Sequence, residues 1–211
     1  MPELFKDFSP DAPELGRGGQ KIVYEHPSDK TKAYAQLKYG HDLATQAQFT
    51  EYSLKARYYL VALVNTLHPN TFPRLQAVDV TNRRLAVERV GQNYTVEQYK
   101  QADAKVDALI PLGISLQKDL ANTGVDARNN PVHLDLPEAF EGEAGGEWKK
   151  NYNAAKLAAS LAFLEDGAQK VQGLAYLRRL EELYFTARGY GPEERGEFLK
   201  ELEEMVLGEG G

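Results

Sequence analysis

Two oxygen-bearing side chains, Asn122 and Asp135, stand at the ends of the stretch GISLQKDLANTGVDARNNPVHLDLPEAF, residues Gly113 to Phe140. Thr123 to Asp126 and Pro131 to Leu136 each alternate apolar and polar residues. Between them, Ala127-Arg128-Asn129-Asn130 supplies asparagines that tolerate the left-handed backbone of a tight turn. The pattern predicts a β-hairpin flanked by Asn122 and Asp135. An amide oxygen and a carboxylate converging at a strand edge form a hard-oxygen site suited to Mg²⁺, a metal usually shared with substrate phosphates. The same residues also fit a plain surface hairpin, because Asn and Asp favour turns for local reasons.

Other elements must bring a phosphate to such a site. Gly16, Gly18 and Gly19 of ELGRGGQKIVYEHP interrupt a hairpin whose second strand is expected over Ile22 to Glu25. Glycines there let backbone N–H groups approach a triphosphate with no Cβ in the way. No helix opening on Gly-Lys-Ser/Thr follows, which excludes a P-loop. Ala33 to Tyr39 alternates as a strand carrying Lys38 near its end. Ala44 to Leu67 lacks Gly and Pro, and Phe49, Tyr52, Ala56, Tyr59, Leu60, Leu63 and Leu67 recur at helical spacing. That helix carries Glu51 in its first half, places Lys55 and Arg57 on or near a solvated face, and stops at His68-Pro69-Asn70.

Two further strands are expected over Arg74 to Val80 and Arg84 to Val90, followed by a boundary at Gly91 to Tyr94. Thr95, with Gln98 at the capping-box position, opens a helix running towards Leu112 and ended by Gly113. Glu138 to Glu147 reads as a mobile acidic loop. Tyr152 to Leu164, Ala168 to Arg188 and Pro192 to Leu207 are three amphipathic helices. The opening Met1 to Glu14 is broken by Pro2, Pro10 and Pro13, and its Leu4, Phe5 and Phe8 are suited to docking on a surface.

The order of glycine turn, strand lysine, helix glutamate, loop Asn and post-hairpin Asp resembles the core of the protein-kinase-like superfamily, which includes protein kinases, aminoglycoside phosphotransferases and choline kinases. The resemblance spans about Leu15 to Phe140. It implies an α+β, two-lobed fold: an N-lobe over residues 1–91 with a small antiparallel sheet and one long helix, then a reduced, mainly helical C-lobe over residues 92–211. It further implies ATP and Mg²⁺ as cofactors. Gly16, Gly18 and Gly19 would cover the phosphates, Lys21 would stand where a third glycine often lies, and Val23 would pack on the adenine. Lys38 would neutralise phosphates with Glu51 as its helix partner, and Glu88, Arg89 and Val90 would form the adenine hinge. Asn122 and Asp135 would hold the metal. The pattern departs in two places: Ser115 and Gln117 stand where the His and catalytic Asp of an H-x-D motif would fall, and Leu136-Pro137 replaces Phe-Gly. Asp119 is the nearby carboxylate left to orient an acceptor hydroxyl. Three functions remain open: a phosphotransferase acting on a small hydroxylated substrate, a nucleotide-binding pseudokinase scaffold for a protein partner, and a helical interaction module without nucleotide.

Composition narrows the remaining classes. With 25 basic against 31 acidic residues the net charge is −6, which argues against a nucleic-acid surface. The absence of cysteine excludes disulfides and thiolate metal sites, and His26, His41, His68 and His133 are too scattered for a zinc site. No window is apolar enough to span a bilayer, and the acidic start MPELFKDFSPDAPEL is unlike a signal peptide, which points to a cytoplasmic protein.

Overall fold

The computed structural model describes residues 3–18, 21–38, 43–142 and 148–208. Side chains of 3, 43–51, 141, 142 and 148 also lie outside the described set. The architecture is α+β. A five-stranded antiparallel sheet comprises β1 (Glu14–Arg17), β2 (Lys21–Glu25), β3 (Lys32–Leu37), β4 (Leu75–Asp79) and β5 (Arg84–Glu88), in the order β1-β2-β3-β5-β4. Between β3 and β4 runs α1 (Leu43–Leu67), which covers one face of the sheet with Leu54, Leu60, Val61, Leu63 and Val64 fully buried. Arg57 lies on this inner side and is buried, so the expected solvated placement is corrected: the helix is enclosed by the sheet on one flank and by later helices on another.

The other sheet face is sealed by the opening segment. Tyr34 of β3 is fully buried under Phe5 and Phe8, with ring centroids at 5.7 and 5.5 Å, and stacks on His26 at 4.8 Å. Its hydroxyl donates to the Leu4 carbonyl at 2.7 Å, and the Arg84 guanidinium caps the Phe8 ring at 3.7 Å. Strand alternation explains the division: Ala35 meets the α1 side and Tyr34 the opposite side.

After Gly91 the chain forms α2 (Val96–Asp107), with the Thr95/Gln98 capping box in place. This helix ends earlier than the expected Leu112, because Pro111 has no N–H for the Asp107 carbonyl and its ring crowds it; a 3-10 turn over Ile110–Leu112 follows and closes on Gly113 at φ 86°. A Cβ at Gly113 would lie 3.2 Å from the Asn153 nitrogen, so both conformation and space require glycine there. Strands β6 (Thr123–Val125) and β7 (Pro131–His133) form the expected hairpin, with Asn129 at φ 65° in its turn. The acidic stretch is only partly a loop. Phe140–Gly142 is strand β8, paired with β9 (Trp148–Lys150), because buried Phe140 anchors it; residues 143–147 lie outside the described set.

The chain ends in α3 (Ala154–Ala162), α4 (Gly167–Arg188) and α5 (Pro192–Leu207), opened by Asn153, Asp166 and Gly191-Pro192 and separated by the left-handed Gly189. Their apolar stripes join α1 and the sheet in one continuous core running from Ala35 and Leu85 to Leu177, Leu180 and Leu202. Among the described residues, no helix is long and apolar enough to cross a membrane.

One buried ion pair links β9 to this core. Glu181 of α4, with no solvent exposure, accepts from Lys150 Nζ at 3.0 Å and from the Tyr152 hydroxyl at 2.8 Å. Burial first, and the Glu181 carboxylate second, raise the Tyr152 phenol well above its ordinary value, so it stays protonated and donating. Removing one partner of a buried pair leaves a stranded charge. Lys150→Met is therefore expected to lower the unfolding free energy by about 3 kcal/mol, measured by urea denaturation. Adding Glu181→Gln should recover part of that loss.

Candidate functional site

The β6–β7 hairpin is seated against the end of the sheet. Gly91 and Val125 exchange both backbone hydrogen bonds, at 2.9 and 2.8 Å. Gly124 permits this approach, since a Cβ there would lie 3.0 Å from the Gly91 oxygen and 3.1 Å from Leu134 Cδ2. The Leu134 N–H donates to the Asn122 carbonyl at 2.7 Å, so Asn122 and Asp135 do arrive at the same end of the hairpin. The Asn122 amide donates to the Gln117 carbonyl at 3.3 Å. Gln117 and Asp135 line one cleft of about 340 Å³ together with Gly113 to Leu116, Leu136 to Glu138 and Asn151.

The cation that enters this region is Lys21. It is the first residue of β2, and alternation puts it on the same face as Val23. Its ammonium donates to the Leu134 carbonyl at 2.8 Å. Burial lowers its pKa to about 8, Arg57 acting the same way and Asp135 opposing. Arg57 arrives from α1 and meets Glu138 of the cleft at 3.0 Å. Burial lowers the guanidinium pKa, while Glu138 and Asp135 oppose the shift. Two cations and two carboxylates are thus gathered at one place.

The remaining expected site residues are distributed differently. Lys38 donates to the Gly18 carbonyl and so ties the end of β3 to the glycine turn. The side chain of its expected partner Glu51, and the whole of Gly19, lie outside the described set. Gly16 belongs to β1, opposite Val23, and the Gly18 N–H donates to the Lys21 carbonyl at 2.9 Å. Val23 is partly buried against the main core. In the expected hinge, the Glu88 N–H donates to the Arg74 carbonyl and the Arg89 N–H to the Thr31 carbonyl, both at 2.8 Å, and Val90 sits over Gly124. Asp119 is exposed and caps a short 3-10 turn by accepting from the Ala121 N–H at 2.9 Å; it is not among the residues lining the cleft. Sequence reasoning missed Arg57 and Glu138. The available signal was the position of Glu138 three residues after Asp135.

Asn122 and Asp135 supply two hard-oxygen donors. Among the described residues no group of three or more His, Cys, Asp or Glu side chains is gathered to hold a metal ion. That donor set fits Mg²⁺ completing its shell with phosphates and water, and does not fit a free-standing metal centre. No family model matches the chain and no curated protein matches it significantly.

Next to the site, Thr123 Oγ1 and His133 Nε2, on cross-strand partners, are buried without a hydrogen-bond partner among the described residues. Burial lowers the His133 pKa, reinforced by Lys21 and opposed by Asp135 and Asp103; burial also lowers that of His68. A folded pKa below the unfolded one means that the unfolded chain binds more protons as pH falls through about 6.5. This stability is complete above that pH and lost below it. The melting temperature should fall between about pH 7.5 and about pH 5.5, and His133→Phe should make the decline shallower in a calorimetric pH series.

Proposed function

We propose that the chain is a nucleotide-binding protein of kinase-like, two-lobed design, with residues 1–91 as the sheet lobe and 92–211 as a reduced helical lobe. Its cleft takes ATP with Mg²⁺ and transfers phosphate slowly or not at all, so that it serves as a pseudokinase scaffold. The carrying observation is that Asp135 and Gln117 line one cleft, with Asn122 bonded to the Gln117 carbonyl and Lys21, from the strand after the glycine turn, bonded to the Leu134 carbonyl beside it. The element order of glycine turn, lysine-bearing strand, long helix and two strands supports the kinase-like reading as well.

Bound Mg²⁺ would neutralise charge on the transferred phosphate. The chain's own residues then have limited tasks: Asp135 and Asn122 offer oxygen donors, and Lys21 offers a cation. The proton of an attacking hydroxyl has no acceptor in the cleft at the expected position, because Gln117 is an amide. Asp119 spends its carboxylate on the Ala121 N–H. Slow transfer to a small hydroxylated acceptor is the second reading, favoured by the polar lining of Ser115, Gln117 and Asn151.

Nucleotide at about one hundred times Kd should stabilise the native state by about 2.7 kcal/mol, a rise in melting temperature of about 5 to 10 °C. Asp135→Ala should remove most of the Mg²⁺-dependent part. An unchanged melting curve with ATP and Mg²⁺ in the wild type would reject the nucleotide site. In single-turnover ATP consumption the wild type is expected to be slow or inert and Gln117→Asp faster. A fast wild type would replace the scaffold reading with the phosphotransferase.

A further inference from the structure

Two cations lie just behind the cleft wall: neither Lys21 nor Arg57 lines it, but Lys21 is bonded to Leu134, next to the lining residue Asp135, and Arg57 to the lining residue Glu138. Lys21 stands near Asp135 with its ammonium on a neutral carbonyl, that of Leu134. Arg57, buried on the inner side of α1, is bonded to Glu138, whose side chain is 43% exposed and therefore able to turn into water. Asp135 and Glu138 are separated in sequence by Leu136 and Pro137, both buried, so the same anchored backbone segment carries both carboxylates at the cleft. A dication entering alone at Asp135 would meet Lys21 and Arg57 as like charges in a partly desolvated site. A phosphate entering instead would meet two cations, each with an exchangeable partner. Lys21 can trade a neutral carbonyl for an anionic oxygen, which makes a bond roughly twice as strong. Arg57 can trade one exposed carboxylate for a phosphate that its planar fork matches in two places.

Resting on the nucleotide reading above, we propose that Lys21 and Arg57 form the anion-binding pair of this cleft and hold the phosphates of the ligand without requiring a divalent metal. Lys21 and Arg57 then take the phosphate-neutralising role, and Lys38 acts as a clamp on the glycine turn. Glu138 occupies Arg57 until the ligand arrives, competing with phosphate for the same guanidinium.

The test is binding by titration calorimetry with three probes, ATP, ADP and inorganic triphosphate, each with Mg²⁺ and with EDTA. The expected result is ATP affinity in EDTA within about three-fold of the Mg²⁺ value, with inorganic triphosphate also bound. Lys21→Met should weaken ATP in EDTA by about ten-fold or more, the loss of one charge-assisted bond. Glu138→Gln should tighten it several-fold by releasing Arg57, and because Glu138 is exposed this variant tests the pair even if Lys21→Met fails to fold. Binding that vanishes in EDTA overturns the inference while leaving the nucleotide site standing. Wild-type affinity in a folded Lys21→Met, or unaltered or weaker ATP binding by Glu138→Gln, also overturns it. Failure of all three probes to bind the wild type with or without Mg²⁺ removes the nucleotide reading and the inference with it.

Discussion

The close seating of the β6–β7 hairpin on Val90 and Gly91 is the constraint on which the site depends. Two backbone hydrogen bonds join Gly91 to Val125, and the missing side chain at Gly124 lets Val90, Gly91 and Leu134 come within contact of the strand. A methyl group at Gly124 would press on the Gly91 oxygen at 3.0 Å and force it to give by a few tenths of an ångström while it is bonded to Val125. From this contact follows the position of the Leu134 carbonyl, within reach of the Lys21 ammonium, and from that the position of Asp135 and the base of the cleft.

Charge at this place is organised by burial more than by number. Lys21 and Arg57 have their pKa values lowered chiefly by lost hydration, and the nearby carboxylates counter only part of that effect. A buried cation bonded to a neutral carbonyl, or to one half-exposed carboxylate, stays responsive to a better anion. Lys150 presents the contrasting case. Its partner Glu181 is fully enclosed, shared with the Tyr152 hydroxyl and framed by the rings of Tyr184 and Phe198, 4.7 and 5.1 Å from the ammonium. There the pair is a fixture of the core.

Regular periodicity and local capping chemistry made much of the fold legible. α1, α4 and α5 run close to where their apolar spacing and Pro or Gly punctuation place them, and the β6–β7 hairpin follows from alternation around an Asn-rich turn. Arg57 was illegible because a charged residue on a helix reads as solvated unless its neighbours in space are known. The β8 strand was hidden for a related reason: three residues of Glu-Gly-rich sequence carry no alternation, and their position is set by Phe140 packing near Tyr184, at 5.6 Å. The opening segment docks through Phe5 and Phe8 as its apolar residues suggest, but that Tyr34 of β3 receives them is a long-range contact that local sequence cannot reveal. Of the candidate site, Asn122 and Asp135 come to the same end of the hairpin as their flanking strands imply, through the Leu134 N–H on the Asn122 carbonyl. Lys38 and Asp119 are instead drawn into turn and cap bonds, interactions within a few residues of a glycine turn or a short helix that spacing alone does not distinguish from ligand contacts.

The β8–β9 hairpin connects these two kinds of charged contact. Its first strand begins just after the cleft residues Asp135 to Glu138, and after its second strand the Asn151 N–H donates to the Ala139 carbonyl at 2.9 Å before Asn151 lines the cleft. Lys150, its neighbour, is anchored in α4 through Glu181. The segment that follows Asp135 is therefore fastened at both ends, by buried Leu136, Pro137 and Phe140 on one side and by the Lys150 ion pair on the other. Fastening of this kind favours a cleft whose floor keeps one shape and in which the adjustable parts are side-chain partners, the Lys21 ammonium and the Arg57–Glu138 pair. On the proposed reading, ligand entry would exchange two polar contacts, Lys21 with the Leu134 carbonyl and Arg57 with Glu138, without rearranging the backbone beneath them.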